Sequence, residues 1–244
     1  MQYETKKRSI FKAISWRTWA TITTAIIVFA FTGEFALAIT VGFLEVIAKM
    51  GLYFIHERLW HKIRFGKKEI PAFVLWFTGL PASGKKVLAD AVYAQLQKDG
   101  FKAERLDSHD VRPLFPEVGF SPEEVDRHVK RSGHLCAMLE KNGVIVVASF
   151  VSPYRVSRDF ARARAVNFVE VFMQSTVDAC EKRDVKGHYE KARSGDYQYF
   201  PGVDVDYEAP DNPELTIAVD DVSLEESTQQ IIRYLKRNII NCRV

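Results

Sequence analysis

An apolar run, Phe73-Val74-Leu75-Trp76-Phe77-Thr78, leads straight into Gly79-Leu80-Pro81-Ala82-Ser83-Gly84-Lys85-Lys86, and the stretch from Val87 to Leu96 then has the spacing of a helix. Buried strand, glycine loop, helix is the feature that most restricts what this chain can become. The loop carries G-x-x-x-x-G-K between a strand and a helix, the context in which that pattern binds phosphate. The glycines let the backbone approach an anion, the loop N–H groups converge on its oxygens, and the helix N-terminus adds positive potential. Lys85 is placed to neutralise the terminal phosphates. The next residue in this pattern is Ser or Thr, whose hydroxyl holds Mg²⁺. Here it is Lys86.

Beyond residue 72 apolar strands alternate with amphipathic helices. Strands are predicted over residues 72–78, 103–106, 144–149, 168–172 and 215–219, and helices over 85–99, 122–141, 154–165, 176–183 and 224–238. Strands separated by crossover helices pair in parallel and are covered on both faces. The expected fold is therefore α/β, with a mostly parallel sheet and helices on both sides.

The first 66 residues differ. Thr18 to Phe31 contains no charge, and Thr32-Gly33-Glu34 makes a turn. Phe35 to Ile55 is a second apolar stretch, broken by Glu45 and Lys49. These two stand at i, i+4 on one helix face and can pair. With their flanks, the two stretches predict a membrane hairpin over about residues 10–60, since a span needs roughly 20 apolar residues. Lys6, Lys7, Arg8 and Lys12 precede it, and Arg58, Lys62, Arg64, Lys67 and Lys68 follow it. The positive-inside rule then puts both ends on the cytoplasmic side of the inner membrane. A soluble or surface-lying helical pair is the alternative. Residues 1–68 carry a net charge of +7 and the remainder −4, so the body does not read as a nucleic-acid binder. Residues 67–71 are the linker, and the domain that follows covers 72–240. Cys136, Cys180 and Cys242 lack metal-ligand spacing and read as reduced thiols.

Several motifs in the body occur in order: Leu106-Asp107-Ser108-His109-Asp110-Val111-Arg112, Gly119-Phe120-Ser121, Ser149-Phe150-Val151-Ser152-Pro153-Tyr154-Arg155, the run from Cys180 to Arg193, and Tyr207-Glu208-Ala209-Pro210-Asp211-Asn212-Pro213-Glu214. Together with the loop they resemble adenylylsulfate kinase over about residues 72–238. That resemblance implies a P-loop kinase fold, ATP and Mg²⁺ as cofactors, a mobile lid, a homodimer, and transfer of the γ-phosphate of ATP to the 3′-hydroxyl of adenosine 5′-phosphosulfate (APS).

It also implies roles. Lys85, Asp107 and Ser152 fall at the chemistry, with Asp107 beside the metal. Gly79 to Lys86, Arg183 and Arg193 fall to ATP. Arg112, Phe120, His128, Arg131, Ser152, Lys186 and Phe200 fall to the substrate. The N-terminal segment, from Lys7-Arg8-Ser9 through Trp16-Arg17 and over Glu45 to Trp60, resembles a bacterial family of two-helix membrane domains of uncharacterised function.

The chain departs from the kinase pattern at four places. Lys86 replaces the Ser/Thr, Ser108-His109 replaces Gly-Asp, Val125 stands for a second substrate arginine, and His128 for an asparagine. Three readings stay open: a divergent adenylylsulfate kinase, a same-fold kinase for another nucleotide-linked molecule, or a catalytically impaired nucleotide-binding protein.

Overall fold

A computed structural model describes residues 6–62 and 71–240. The chain divides into two compact units, Met1–Lys68 and Glu69–Val244.

The first unit is a helical hairpin of α1 (Lys6–Thr32) and α2 (Phe35–Lys62). Gly33 turns the chain at φ 69°, and its N–H caps α1 through the Phe29 carbonyl at 2.8 Å. Glu45 accepts from Lys49 one turn on and from Thr24 Oγ1 of α1 at 3.1 Å, so the charged pair of α2 is tied to the facing helix. Trp19, Phe31, Phe35 and Phe43 stay exposed. Among the described residues no helix is long and apolar enough to cross a membrane, which departs from the two spans expected. The reason is visible in the residues. The uncharged run of α1, Thr18–Thr32, covers only about 22 Å at the helical rise, against a hydrocarbon core of about 30 Å, and Glu45 and Lys49 interrupt the apolar run of the continuous α2.

The second unit has the expected α/β architecture. Its strands are β1 (Val74–Thr78), β2 (Ala103–Asp107), β3 (Ile145–Ser149), β4 (Phe168–Gln174) and β5 (Leu215–Ala218). They pair in the order β2-β3-β1-β4-β5, every pair parallel. The helices are α3 (Lys85–Lys98), α4 (Ser108–Val111), α5 (Pro122–Lys141), α6 (Arg155–Arg164), α7 (Val177–Lys182), α8 (His188–Arg193) and α9 (Leu224–Leu235).

Because side chains alternate along a strand, β1 feeds two cores. Phe73, Leu75 and Phe77 pack with Leu88, Val92 and Leu96 of α3 and Ile231 and Leu235 of α9. Val74 and Trp76 pack with Val129 and Cys136 of α5 and Ala161 of α6. Serine–glutamate capping boxes start α5 (Ser121, Glu124) and α9 (Ser223, Glu226), satisfying amides that the first turn leaves unbonded. β1 lies between β3 and β4, so the chain leaves the sheet in opposite directions around it. Ligands gather in the crevice beyond the strand ends at such a switch point.

Candidate active site

The loop after β1 is built by close approach. A Cβ on Gly79 would stand 2.8 Å from the Met173 carbonyl of β4, so only glycine fits beside that strand. Ala82 adopts φ 58° and Gly84 φ 82°, which curls the loop before α3 begins. Lys85 is buried and folds into the loop, its Nζ donating to the Leu80 carbonyl at 2.6 Å, the Gly79 carbonyl at 3.0 Å and Ser83 Oγ at 3.3 Å. Burial pulls its pKa down to about 7. Lys86, next on α3, points elsewhere: its Nζ donates to Asp107 Oδ2 at 2.7 Å.

Asp107 ends β2 and caps α4. Its Oδ1 accepts the amides of His109 and Asp110 at 2.8 and 3.0 Å. Burial works against its ionisation, but the Lys86 ammonium and these amides outweigh it and hold the carboxyl below the usual carboxylate range. Next in the chain, Ser108 Oγ lies 3.2 Å from His128 Nε2. His128 is buried on α5, and its Nδ1 has no partner among the described residues. Burial first, then the charges of Arg112 and Arg131, lower its pKa to about 4. Arg112 lies over the Phe120 ring at 4.0 Å and is braced by the carbonyls of Val118 and Gly119. Arg131 lies over Phe115 at 4.8 Å. Phe120 itself is 63% exposed, a ring held open to solvent rather than packed in the core.

Ser152 follows β3. It sits at φ 40°, in the left-handed region that a residue with a Cβ avoids unless its surroundings impose it. Arg158 imposes it, gripping the Ser152 carbonyl at 2.6 Å while pairing with Glu170 at 2.9 Å. The Ser152 hydroxyl is buried: it accepts from Trp76 Nε1 at 3.1 Å and lies 2.8 Å from Thr78 Oγ1. Thr78 Oγ1 is in turn 2.8 Å from the Tyr207 hydroxyl. Trp76, Thr78 and Tyr207 thus join a cluster that no single motif announces, because it draws on β1, the end of β3 and the segment before β5.

The segments α7 and α8 rest on the loop. Tyr189 donates to the Pro81 carbonyl at 3.0 Å and meets Phe200 edge-on at 5.0 Å, with Leu80 and Cys180 packed beside it. Tyr189 carries no expectation from sequence, although its aromatic character inside the Cys180–Arg193 run was a usable signal. Arg193 is bidentate on Glu181 at 2.9 and 2.8 Å, and Arg183 binds Asp220 and Ser175. Lys186 is exposed. The structure therefore gathers the loop lysines, Asp107 and Ser152 at the ends of β1, β2 and β3, while Arg183 and Arg193 face carboxylates.

The adenylylsulphate kinase family model matches residues 71–218, more than half of the chain. The chain belongs to that family. It is 44% identical over 166 residues to a probable adenylyl-sulfate kinase of Pseudomonas aeruginosa, covering 68% of this chain and 78% of that protein. It is 43% identical over 162 residues to the adenylyl-sulfate kinase of a Picosynechococcus strain, covering 66% and 92%. Among solved structures it resembles the Mycobacterium tuberculosis APS kinase in complex with AMPPNP and APS, with a TM-score of 0.65, 34% identity, and coverage of 68% of this chain and 99% of that one. A second model, described as a predicted membrane protein (DUF2061), matches residues 10–61. The second unit is thus a phosphotransferase of the adenylylsulfate kinase type.

The magnesium that such a kinase implies is a poor fit to these residues. In P-loop enzymes the cation is held by the hydroxyl after the loop lysine and by a nearby aspartate. Here that hydroxyl is replaced by the Lys86 ammonium, and Asp107, assigned to the metal by resemblance, faces this ammonium. Among the described residues no group of three or more His, Cys, Asp or Glu is placed to hold a metal ion.

Proposed function

We propose that this adenylylsulfate kinase transfers the γ-phosphate of ATP to the 3′-hydroxyl of adenosine 5′-phosphosulfate. The observation that carries the reading is that the Gly79–Lys85 loop, the Arg112–Phe120 pair and the Ser152 turn all follow the C-terminal ends of the neighbouring strands β1, β2 and β3. ATP phosphates lie on the loop amides, and Lys85 leaves the loop carbonyls to meet them. Arg183 and Arg193 release Asp220 and Glu181 to reach the nucleotide. Arg112 supplies a planar donor fork suited to a phosphosulfate, Phe120 stacks on the substrate base, and Arg131, Lys186 and Phe200 close over it. The buried Ser152 hydroxyl shapes the turn, so Ser152 acts by positioning, and phosphate passes directly between the two nucleotides.

The buried His128, with its unpartnered Nδ1, favours a second reading in which the acceptor is a different nucleotide-linked molecule that bonds to this ring. Release of ADP by the purified chain, with and without APS, separates the two. APS-dependent ADP release supports the first reading, and its absence together with release on another acceptor moves the assignment to the second.

The hairpin, on this reading, holds the kinase at a lipid bilayer on the cytoplasmic side of the inner membrane. Support comes from the membrane-protein family match over residues 10–61, the exposed aromatic side chains of α1 and α2, and the bases that flank them. Sedimentation of the chain with membranes is the expected result. Recovery in the soluble fraction would remove the anchor. A homodimer is the expected assembly and is read by light scattering.

A further inference from the structure

Three of the departures from the family pattern alter charge; Val125 removes that of an arginine, and the other two, Lys86 and His109, lie beside Asp107. Lys86 puts a positive charge where the pattern has a neutral hydroxyl. His109 removes the negative charge of a carboxylate. Together Lys86 and His109 shift the surroundings of Asp107 by two units of positive charge, which equals the charge of one divalent cation.

The geometry gives these charges a direction. The Lys86 side chain is 54% exposed and its partner Asp107 only 4%, so the ammonium sits at the open face of the pair. A half-exposed ion pair of this kind is held weakly, and a lysine stem is flexible enough to redirect its head. When Lys86 turns away, Asp107 is not stranded, because His109 N and Asp110 N still donate to its other oxygen. Lys85 and Lys86 then present two ammonium groups to one triphosphate, from the first turn of α3.

We propose that the Lys86 ammonium takes over from a divalent cation the neutralisation of the triphosphate, with Asp107 as its counter-ion in the empty site. Nucleotide binding by this chain then depends only weakly on magnesium. The inference rests on the reading that the loop binds ATP, and it makes no use of the acceptor.

Calorimetric titration of the full chain with ATP, once with excess Mg²⁺ and once with EDTA, tests it. The expected difference in affinity for the unaltered chain is under about threefold, whereas Lys86→Ser opens a gap of at least about tenfold by losing affinity in EDTA, the loss of one charge-assisted contact. Lys86→Arg keeps the charge and keeps binding in EDTA. An unaltered chain that loses tenfold or more in EDTA overturns the proposal, as does Lys86→Ser binding in EDTA like the unaltered chain. The chelator arm on the unaltered chain needs no variant, so a serine variant that fails to fold does not rescue the idea. Magnesium-dependent ATP binding with intact APS phosphorylation overturns this inference alone, while no ATP binding in either arm overturns it together with the ATP site.

Discussion

The two halves of the site follow different rules. The nucleotide half, Gly79 to Lys85, is held rigidly: Gly79 abuts Met173 of β4, Lys85 is wrapped by its own loop, and Tyr189 of α8 reaches Pro81. Its residues match the G-x-x-x-x-G-K pattern fully. The acceptor half, from Asp107 to Arg131, carries Ser108, His109, Val125 and His128 in place of the family's residues, and its arginines rest on exposed or half-buried aromatic rings. Phosphate binding is geometrically demanding, since several amides must converge on one anion, so the loop has little room to vary. Acceptor recognition is carried by separate side chains, which can be exchanged one at a time.

The largest expected effect breaks the rigid half. Lys85→Ala should lower kcat/KM by about a hundred- to a thousandfold, the scale of losing one charge-stabilising donor at a reacting group, and should weaken ATP binding in the same titration. Arg112→Ala should separate the halves. KM for the acceptor rises by about ten- to a hundredfold, from the loss of a hydrogen bond to a charged group, while ATP affinity stays put; a matching loss of ATP affinity would show that the halves are not independent.

His128→Asn sharpens the comparison through pH. The folded-state pKa of His128 is depressed from 6.5 to about 4, so between these values the unfolded chain binds the proton more readily. Its contribution to stability is present above pH 6.5 and is lost as pH falls toward 4, by at most about 3 kcal/mol. Urea midpoints at neutral and acid pH should diverge for the unaltered chain and less so for His128→Asn. The smallest effect concerns α7 and α8. Tyr189→Phe removes the bond to the Pro81 carbonyl, worth about 1 kcal/mol, and should speed amide exchange in α7 and α8 without changing exchange in β1.

Much of the second unit was legible in the sequence. The five strands stand where the apolar runs put them, and α3, α5 and α9 begin at their capping or loop residues, because these signals are local. The six-residue α8 escaped: two turns offer too little periodicity to separate a helix from a polar loop. The partners of the site arginines escaped too. Arg183 with Asp220 and Arg193 with Glu181 join positions that no spacing rule links. The hairpin shows the reverse limit. The apolar composition of residues 10–60 suggested two spans, whereas among the described residues no helix is both long and apolar enough to cross a membrane, because charges interrupt both apolar runs.

The sequence by itself determined that a phosphate-binding loop joins a buried strand to a helix, and that Lys86 stands where a hydroxyl belongs. Strand alternation, glycine and residue order are properties of neighbours along the chain. Only the tertiary structure decided what Lys86 does. β3 lies between β1 and β2, and α3 carries the chain across it, so the start of α3 meets the end of β2. That crossing sets an ammonium against Asp107, twenty-one positions away. It also buries the Ser152 hydroxyl among Trp76 and Thr78. A side chain's partner depends on which strand ends the sheet brings together, and no local signal encodes that.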